Sequence, residues 1–324
     1  MRARSGAPRR GFGLPAGTLM AHIPDGFLSA PVVAGTAAAS AACLAVAARR
    51  SRRRLAEREA PLLGALTAFV FAAQMLNFPL GAGTSAHLLG GVLVATLVGP
   101  WSGMLVLFAV VLVQALLFQD GGIAALGANT LNLAVIGAGG GFLLYRWVFA
   151  LVGDGARRRA VVAALAGFGS TVMVGIAVAL ELAASGIVPL RPAVLVIGGA
   201  HVLVGIGEAM LTGSVLTLVI RSRPDLMTVV APPTRAARGV ALVTLGVALT
   251  VAVGGVYLAS TRPDVLTAAA TRFGLAGRET STVTPPFAGY AAPRGGPWVA
   301  AVVGVMVLFV LAWAVSRLAA RRRS

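Results

Sequence analysis

Nine apolar stretches, most of them close to the ~20 residues that cross a hydrocarbon core as a helix, leave this chain little choice but to fold in a lipid bilayer. They run roughly over residues 29–48, 61–78, 85–99, 101–118, 130–151, 161–184, 193–220, 240–260 and 298–318. The third is short and rich in glycine. Charged residues make up 11% of the 324 positions and the mean hydropathy is +0.89, whereas a soluble domain carries about a quarter charged residues. The expectation is an all-α polytopic membrane protein with about nine transmembrane helices.

The net charge of +17 is carried by 27 basic residues, and all of them are arginine. In a soluble chain that excess would suggest nucleic acid. Here the arginines sit at the ends of apolar runs, so they report orientation, and no nucleic-acid partner is expected. Alternating sides from an external start puts eighteen inside: Arg49, Arg50, Arg52, Arg53, Arg54, Arg58, Arg146, Arg157, Arg158, Arg159, Arg221, Arg223, Arg235, Arg238, Arg317, Arg321, Arg322 and Arg323. Five fall outside: Arg191, Arg262, Arg272, Arg278 and Arg294. Eight or ten spans would break this alternation. An external N-terminus and a cytoplasmic C-terminus follow, in a multi-pass protein of the cell (cytoplasmic) membrane.

Residues 1–19 do not fit, because Arg2, Arg4, Arg9 and Arg10 would lie outside and no apolar stretch is long enough for a signal peptide. They are expected to be a non-native or untranslated extension, with translation starting at Met20.

Only three histidines occur, His22, His87 and His201, and imidazole is a preferred ligand for nickel, cobalt and zinc. The single cysteine, Cys43, excludes an intramolecular disulfide and a CxxC site, so any metal must use nitrogen or oxygen ligands. A start at Met20 makes a particular chelate reachable. Ala21 is small enough for methionine removal, which leaves Ala21 as the free amine and His22 as residue two. The amine, the residue-two amide and the imidazole Nδ1 then form fused five- and six-membered rings, and a second imidazole can complete a square. Planar nitrogen ligation points to Ni(II) or Cu(II), with cobalt also possible. The other reading is that His22 simply caps a turn before Pro24.

Five segments carry a resemblance: His22-Ile23-Pro24-Asp25-Gly26-Phe27-Leu28, Gly83 to Gly91, Phe118-Gln119-Asp120-Gly121-Gly122, Gly127-Ala128-Asn129, and His201 to Glu208. In this order they resemble signatures of the CbiM/NikM family, over about Met20 to Ile220. That family comprises the metal-capturing membrane components of cobalt and nickel energy-coupling factor (ECF) transporters. The resemblance implies Ni2+ or Co2+ as transported substrate, held near the external face by Ala21, His22 and His87. It also implies partnership with an ECF transmembrane coupling subunit and ABC ATPase subunits. The family usually begins Met-His, so Ala21 is a departure.

His201 and Glu208 are seven apart, which places them on one helix face. They could be ligands, a shell orienting His87, or a polar clasp between helices. Gln74, Asn77, Gln114, Asn129 and Asn132 are expected to satisfy backbone or one another, with Asn77 and Asn129 the better candidates for bracing the N-terminal segment. No ATP site is expected, since a chain without lysine cannot contain GxxxxGK[ST]. HExxH and GxSxG are absent as well, so no enzyme is expected. Spans poor in acidic residues argue against a self-sufficient proton-coupled transporter.

The metal-binding domain is expected over 20–222, followed by a polar, proline-bearing cytoplasmic linker over 223–239. Residues 240–324 would form a second unit of two spans around an external loop. In that loop Arg262-Pro263-Asp264-Val265-Leu266, Phe273-Gly274-Leu275 and Pro285 to Pro293 resemble the PDGLE domain, an accessory unit of these transporters. Val265 and Thr267 stand where that motif has glycine and glutamate.

Overall fold

The computed structural model describes residues 22–52, 60–81, 83–222, 235–275, 277–280, 283, 285–292 and 296–321. Ala21, the 1–19 extension, most of the 223–239 linker and Arg53, Arg54, Arg58, Arg223, Arg294, Arg322 and Arg323 lie outside the described residues. Their regular structure is helical apart from one small hairpin. The elements are α1 (Ala30–Arg52), α2 (Ala60–Met75), β1 (Phe78–Gly81), β2 (Thr84–Ala86), α3 (Gly91–Val98), α4 (Pro100–Phe118), α5 (Leu126–Val152) and α6 (Ala156–Ala184). They continue with α7 (Leu190–Ser222), α8 (Arg235–Leu258), α9 (Val265–Arg272) and α10 (Pro297–Arg321). Seven of these helices are long and apolar enough to cross a bilayer, and α2 is a shorter apolar helix.

The stretch at 85–99 is not the continuous helix its hydropathy suggests. The β1–β2 hairpin pairs antiparallel, Phe78 opposite Ala86. Residues 87–90 then run without regular structure, and only Gly91–Val98 is helical. Gly90, at φ +72°, makes the bend. Extended chain covers ~3.3 Å per residue against 1.5 Å in a helix, so this short segment still reaches from one end of the bundle to the other. At its far end Ser102 meets Ser51 at 2.9 Å and Arg50 lies 6.0 Å from the Trp101 ring centre, level with the arginine-bearing end of α1. Irregular backbone at membrane depth is tolerated where protein encloses it. Here Val92, Leu93, Val94 and Ala95 are all buried, and Gly91 lies against the backbone of Gly137 and Ala138 in α5.

Three spanning helices contain wide π-type turns, over Gln114–Phe118, Leu131–Gly140 and Val194–Gly198. Such turns redirect side chains and free carbonyls. The Gln114 carbonyl accepts the Asp120 amide, and the Ile197 carbonyl bonds the His201 ring. Leu143, Trp147, Leu165, Leu195, Met210 and Leu218 are exposed on α5, α6 and α7, as expected of surfaces that face lipid.

The last two long helices are not appended at an edge. Both α8 and α10 pack along α2 and against each other. Phe71, Leu107, Phe118, Ala248, Ala252, Val305 and Leu308 belong to one buried cluster. Gly304 makes room for the Phe71 and Phe118 rings, and Gly64 for the Phe309 backbone.

The close approach at Gly91 yields a stability test. An added Cβ would sit 2.8 Å from the Gly137 carbonyl carbon, and backbone cannot step aside. Gly91→Ala should therefore cost about 1–3 kcal/mol, the usual range for overpacking. Gly35→Ala, where nothing lies within 4 Å, should be neutral or stabilising. Thermal unfolding of the detergent-solubilised protein compares the two.

Candidate metal centre

Residues 22–28 enter the bundle without helical structure, so their backbone groups need partners from elsewhere. Asn129, near the start of α5, provides two. Its Oδ1 accepts the Ile23 amide and its Nδ2 donates to the Ile23 carbonyl, both at 2.9 Å. The same carbonyl also accepts the Gly122 amide. Asp25 returns the favour to the chain ahead of α5: its two carboxylate oxygens accept the Ile123 and Ala125 amides at 3.1 and 3.0 Å. Ile23 and Phe27 fill a buried apolar cluster with Ala128 of α5, Leu182 of α6 and Ile197 of α7. Gly121 and Gly122 are required by this fit, since a Cβ on either would run into His22 or Asp25.

His87 follows the hairpin, and its loop is gripped on two sides. The Glu208 carboxylate of α7 accepts the Leu89 and Gly90 amides at 2.8 and 2.9 Å. Gln74 of α2 donates to the Leu89 carbonyl at 2.9 Å. A buried carboxylate needs such donors, and this one spends them on the backbone immediately after His87.

These two anchored segments bring His22 and His87 together. Their ring centres lie 5.4 Å apart with planes at 80°, and both side chains are buried. Metal–imidazole bonds of ~2.0–2.1 Å would place two cis rings roughly 4.5 Å centre to centre, so the pair is within about an ångström of sharing an ion. Each ring's bonds also indicate where its lone pair lies. His22 Nε2 is 2.9 Å from the Gln114 carbonyl oxygen Oε1, which only accepts, so the proton is on Nε2 and the lone pair on Nδ1. His87 Nδ1 faces the Leu88 carbonyl at 3.0 Å, which puts its lone pair on Nε2. Among the described residues no three of histidine, cysteine, aspartate and glutamate form a ligand set.

The loop between α8 and α10 covers this end of the bundle. Ser85 donates from its amide to the Pro263 carbonyl and from its hydroxyl to the Arg262 carbonyl. The Ser260, Thr280 and Phe287 amides donate to the Asn77, Asp25 and Leu117 carbonyls. Leu266, Ala269, Ala270 and Leu275 join the cluster that holds Ile23 and Phe27. Asp264 caps α9, accepting the Thr267 amide, and burial lifts its carboxyl to about 7. Tyr290 donates to Asp120 Oδ2 at 2.6 Å and accepts from Gln114 Nε2 at 3.4 Å. Burial first, then the neighbouring Asp120, raises the Tyr290 phenol well above 10.

The structure separates the remaining sequence-derived candidates. His201 and Glu208 share a helix but no bond: the His201 Nδ1 bonds to the Ile197 carbonyl at 2.8 Å, and its ring lies on Gly175 of α6. His201 is therefore not gathered with the other two histidines. Asn77 does not bond to residues 22–28; its Oδ1 is buried without a hydrogen-bond partner among the described residues. Gln114, by contrast, touches His22 directly, and Asp120 and Tyr290 stand behind it. Their sequence signals were polarity within or beside an apolar run for Gln114, and motifs that included Asp120 and Tyr290.

The CbiM family model, described as the cobalt uptake substrate-specific transmembrane region, matches residues 22–226. A putative metal transport protein of Haloquadratum walsbyi is 40% identical over 64% of this chain and 93% of its own length. The putative fused nickel transport protein NikMN of Archaeoglobus fulgidus is 31% identical over 92% of this chain and 99% of its own, so the similarity extends through the C-terminal unit. A crystal structure of a truncated transition metal transporter aligns with a TM-score of 0.57 and 33% identity, covering 62% of this chain and 98% of that one. With the family model spanning well over half of the sequence and the paired histidines lying inside it, this chain is a multi-pass membrane transport protein, not an enzyme, and belongs to the CbiM family.

Proposed function

We propose that this chain is the metal-capturing membrane component of an ECF-type ABC importer for Ni2+ or Co2+. The observation that carries the reading is the buried His22–His87 pair, 5.4 Å between ring centres, with one lone pair on each ring. The amine of Ala21, the amide nitrogen and Nδ1 of His22, and Nε2 of His87 would complete a square of nitrogens. That geometry suits Ni(II), with cobalt as the neighbouring choice. Relatives named as nickel and cobalt transport proteins support both metals. Asn129 would brace the N-terminal segment and Glu208 the loop of His87, as shells that orient ligands.

In this reading the chain crosses the cell membrane nine times, counting the half-irregular 85–99 segment, with its N-terminus and metal site outside and its C-terminus in the cytoplasm. The arginine distribution supports that orientation. Residues 240–324 act as a PDGLE-like unit that covers the site. Energy comes from ATPase subunits through a transmembrane coupling subunit, since the sequence offers no P-loop of its own.

Intact-mass spectrometry of the protein purified with nickel from its native host tests the site. The expected result is a mature chain beginning at Ala21 with one metal ion, and a His87→Ala variant whose affinity falls by about a hundredfold or more, beyond the range of outer-shell losses. A chain that begins at Met1 and still binds the ion would remove the amine chelate.

Asn129→Ala removes two hydrogen bonds from Ile23. It should cost about 1–3 kcal/mol at 0.5–1.5 kcal/mol per bond and weaken nickel binding, measured by thermal unfolding and calorimetric titration. Vesicles that hold this chain without ATPase subunits should bind metal but not accumulate it, and metal accumulation there would favour a self-sufficient transporter.

A further inference from the structure

We infer that Tyr290 sets the tautomer of His22 through Gln114, so that the C-terminal unit decides whether Nδ1 is offered to the metal. The inference rests on the chelate reading above, in which Nδ1 is a ligand.

A buried glutamine amide can present either its carbonyl or its NH2 to a neighbour. Facing His22 with the carbonyl, Gln114 requires a proton on Nε2 and leaves Nδ1 bare. Rotated by half a turn, its NH2 would meet Nε2, the proton would move to Nδ1, and the chelating nitrogen would be blocked. Nothing in Gln114 itself prefers one orientation, so the choice is made by what lies on its other side.

Tyr290 lies there, and its hydroxyl has one proton. Asp120 takes that proton at 2.6 Å, so toward Gln114 the Tyr290 oxygen can only accept. The Gln114 NH2 must face Tyr290, and its carbonyl must face His22. The order Asp120–Tyr290–Gln114–His22 therefore runs one way, each proton assigned by the group before it. Gln114 is fully enclosed, and His22 and Asp120 are each only 3% exposed, so no solvent competes for these groups.

Two unusual backbone conformations hold the relay in place. Tyr290 has φ +60° and Gln119 φ +58°, a left-handed region that side-chain-bearing residues rarely occupy. The first delivers the phenol from the loop. The second turns Asp120 back, its amide on the Gln114 carbonyl at 3.1 Å. The Tyr290 ring also stacks on Phe118, centres 4.8 Å apart. Tyr290 touches neither metal nor ligand and is a positioning residue.

The test uses the full chain in detergent with 15N-labelled histidine, and three histidines keep the spectrum assignable. Metal-free protein reports the His22 tautomer directly, and a Ni2+ titration follows the visible band of square-planar nickel. Wild type is expected to show the Nε2–H form alone. Tyr290→Phe keeps the ring stack but frees the amide to turn. It should show mixed tautomers and bind Ni2+ about tenfold more weakly, as loss of an outer-shell partner does.

Adding Gln114→Glu to Tyr290→Phe should restore the Nε2–H form and most of the affinity, because a carboxylate offers His22 an acceptor whichever way it turns. A loss due to folding alone would not be rescued. A Tyr290→Phe variant with a single Nε2–H form and affinity within about twofold of wild type, below the outer-shell range, would overturn the inference; so would a double variant that stays mixed. A wild type without the square-planar band would defeat the chelate reading instead, and the metal-free tautomers would still decide the role of Tyr290.

Discussion

In a bilayer, a backbone amide or carbonyl outside a helix has no water to turn to, and that constraint organises this molecule. Among the stretches that break helical pairing where the chain is enclosed are residues 22–28 and residues 87–90. The first is repaired by the Asn129 side chain and the Gly122 backbone amide, the second by the side chains of Glu208 and Gln74. These repairs also fix the backbone on which His22 and His87 ride. The same bonds that make irregular chain tolerable thus hold two imidazoles at a set separation.

Much of the fold was legible in the sequence because hydropathy and arginine placement are long-range signals that need no tertiary knowledge. The third apolar run shows where such a signal stops. Residues 85–99 are as apolar as a span, yet hydropathy averages over residues and does not record hydrogen bonding. Gly90 and the acceptors on Glu208 decide that this run is half extended, and Glu208 lies over a hundred positions away. The site was legible to a similar depth. His22, His87 and Asn129 stood out through their rarity and neighbourhood. Gln114 did not, since a glutamine in an apolar helix reads the same whether it bonds a backbone carbonyl or an imidazole. His201 stood out by the same rarity, and its Nδ1 bonds the Ile197 carbonyl of its own helix.

The π-type turns add a structural reason for these positions. A wide turn costs helical hydrogen-bond geometry, and it recurs here in three helices at Gln114, at Asn132 and just before His201. In α4 this turn is also the hinge from which the chain reverses into Asp120.

The boundary between the two halves of the chain lies in sequence more than in space. The linker after α7 is polar and proline-bearing, as a domain border should be, yet α8 and α10 flank α2 and share its core. The reason is visible in α2. Its sixteen residues carry twelve that are buried, and α3 and α4 leave part of that surface uncovered. The C-terminal helices complete it, with Gly64 and Gly304 allowing close approach. Once that docking is fixed, the loop between α8 and α10 has its ends pinned over the end of the bundle that holds His22 and His87. Its contacts with Ser85, Asp25, Leu117 and Gln114 follow from where it starts and stops. A packing requirement in the middle of the membrane thereby determines which groups stand beside His22, and the hydrogen-bond partners of a buried imidazole determine which of its nitrogens can bind an ion.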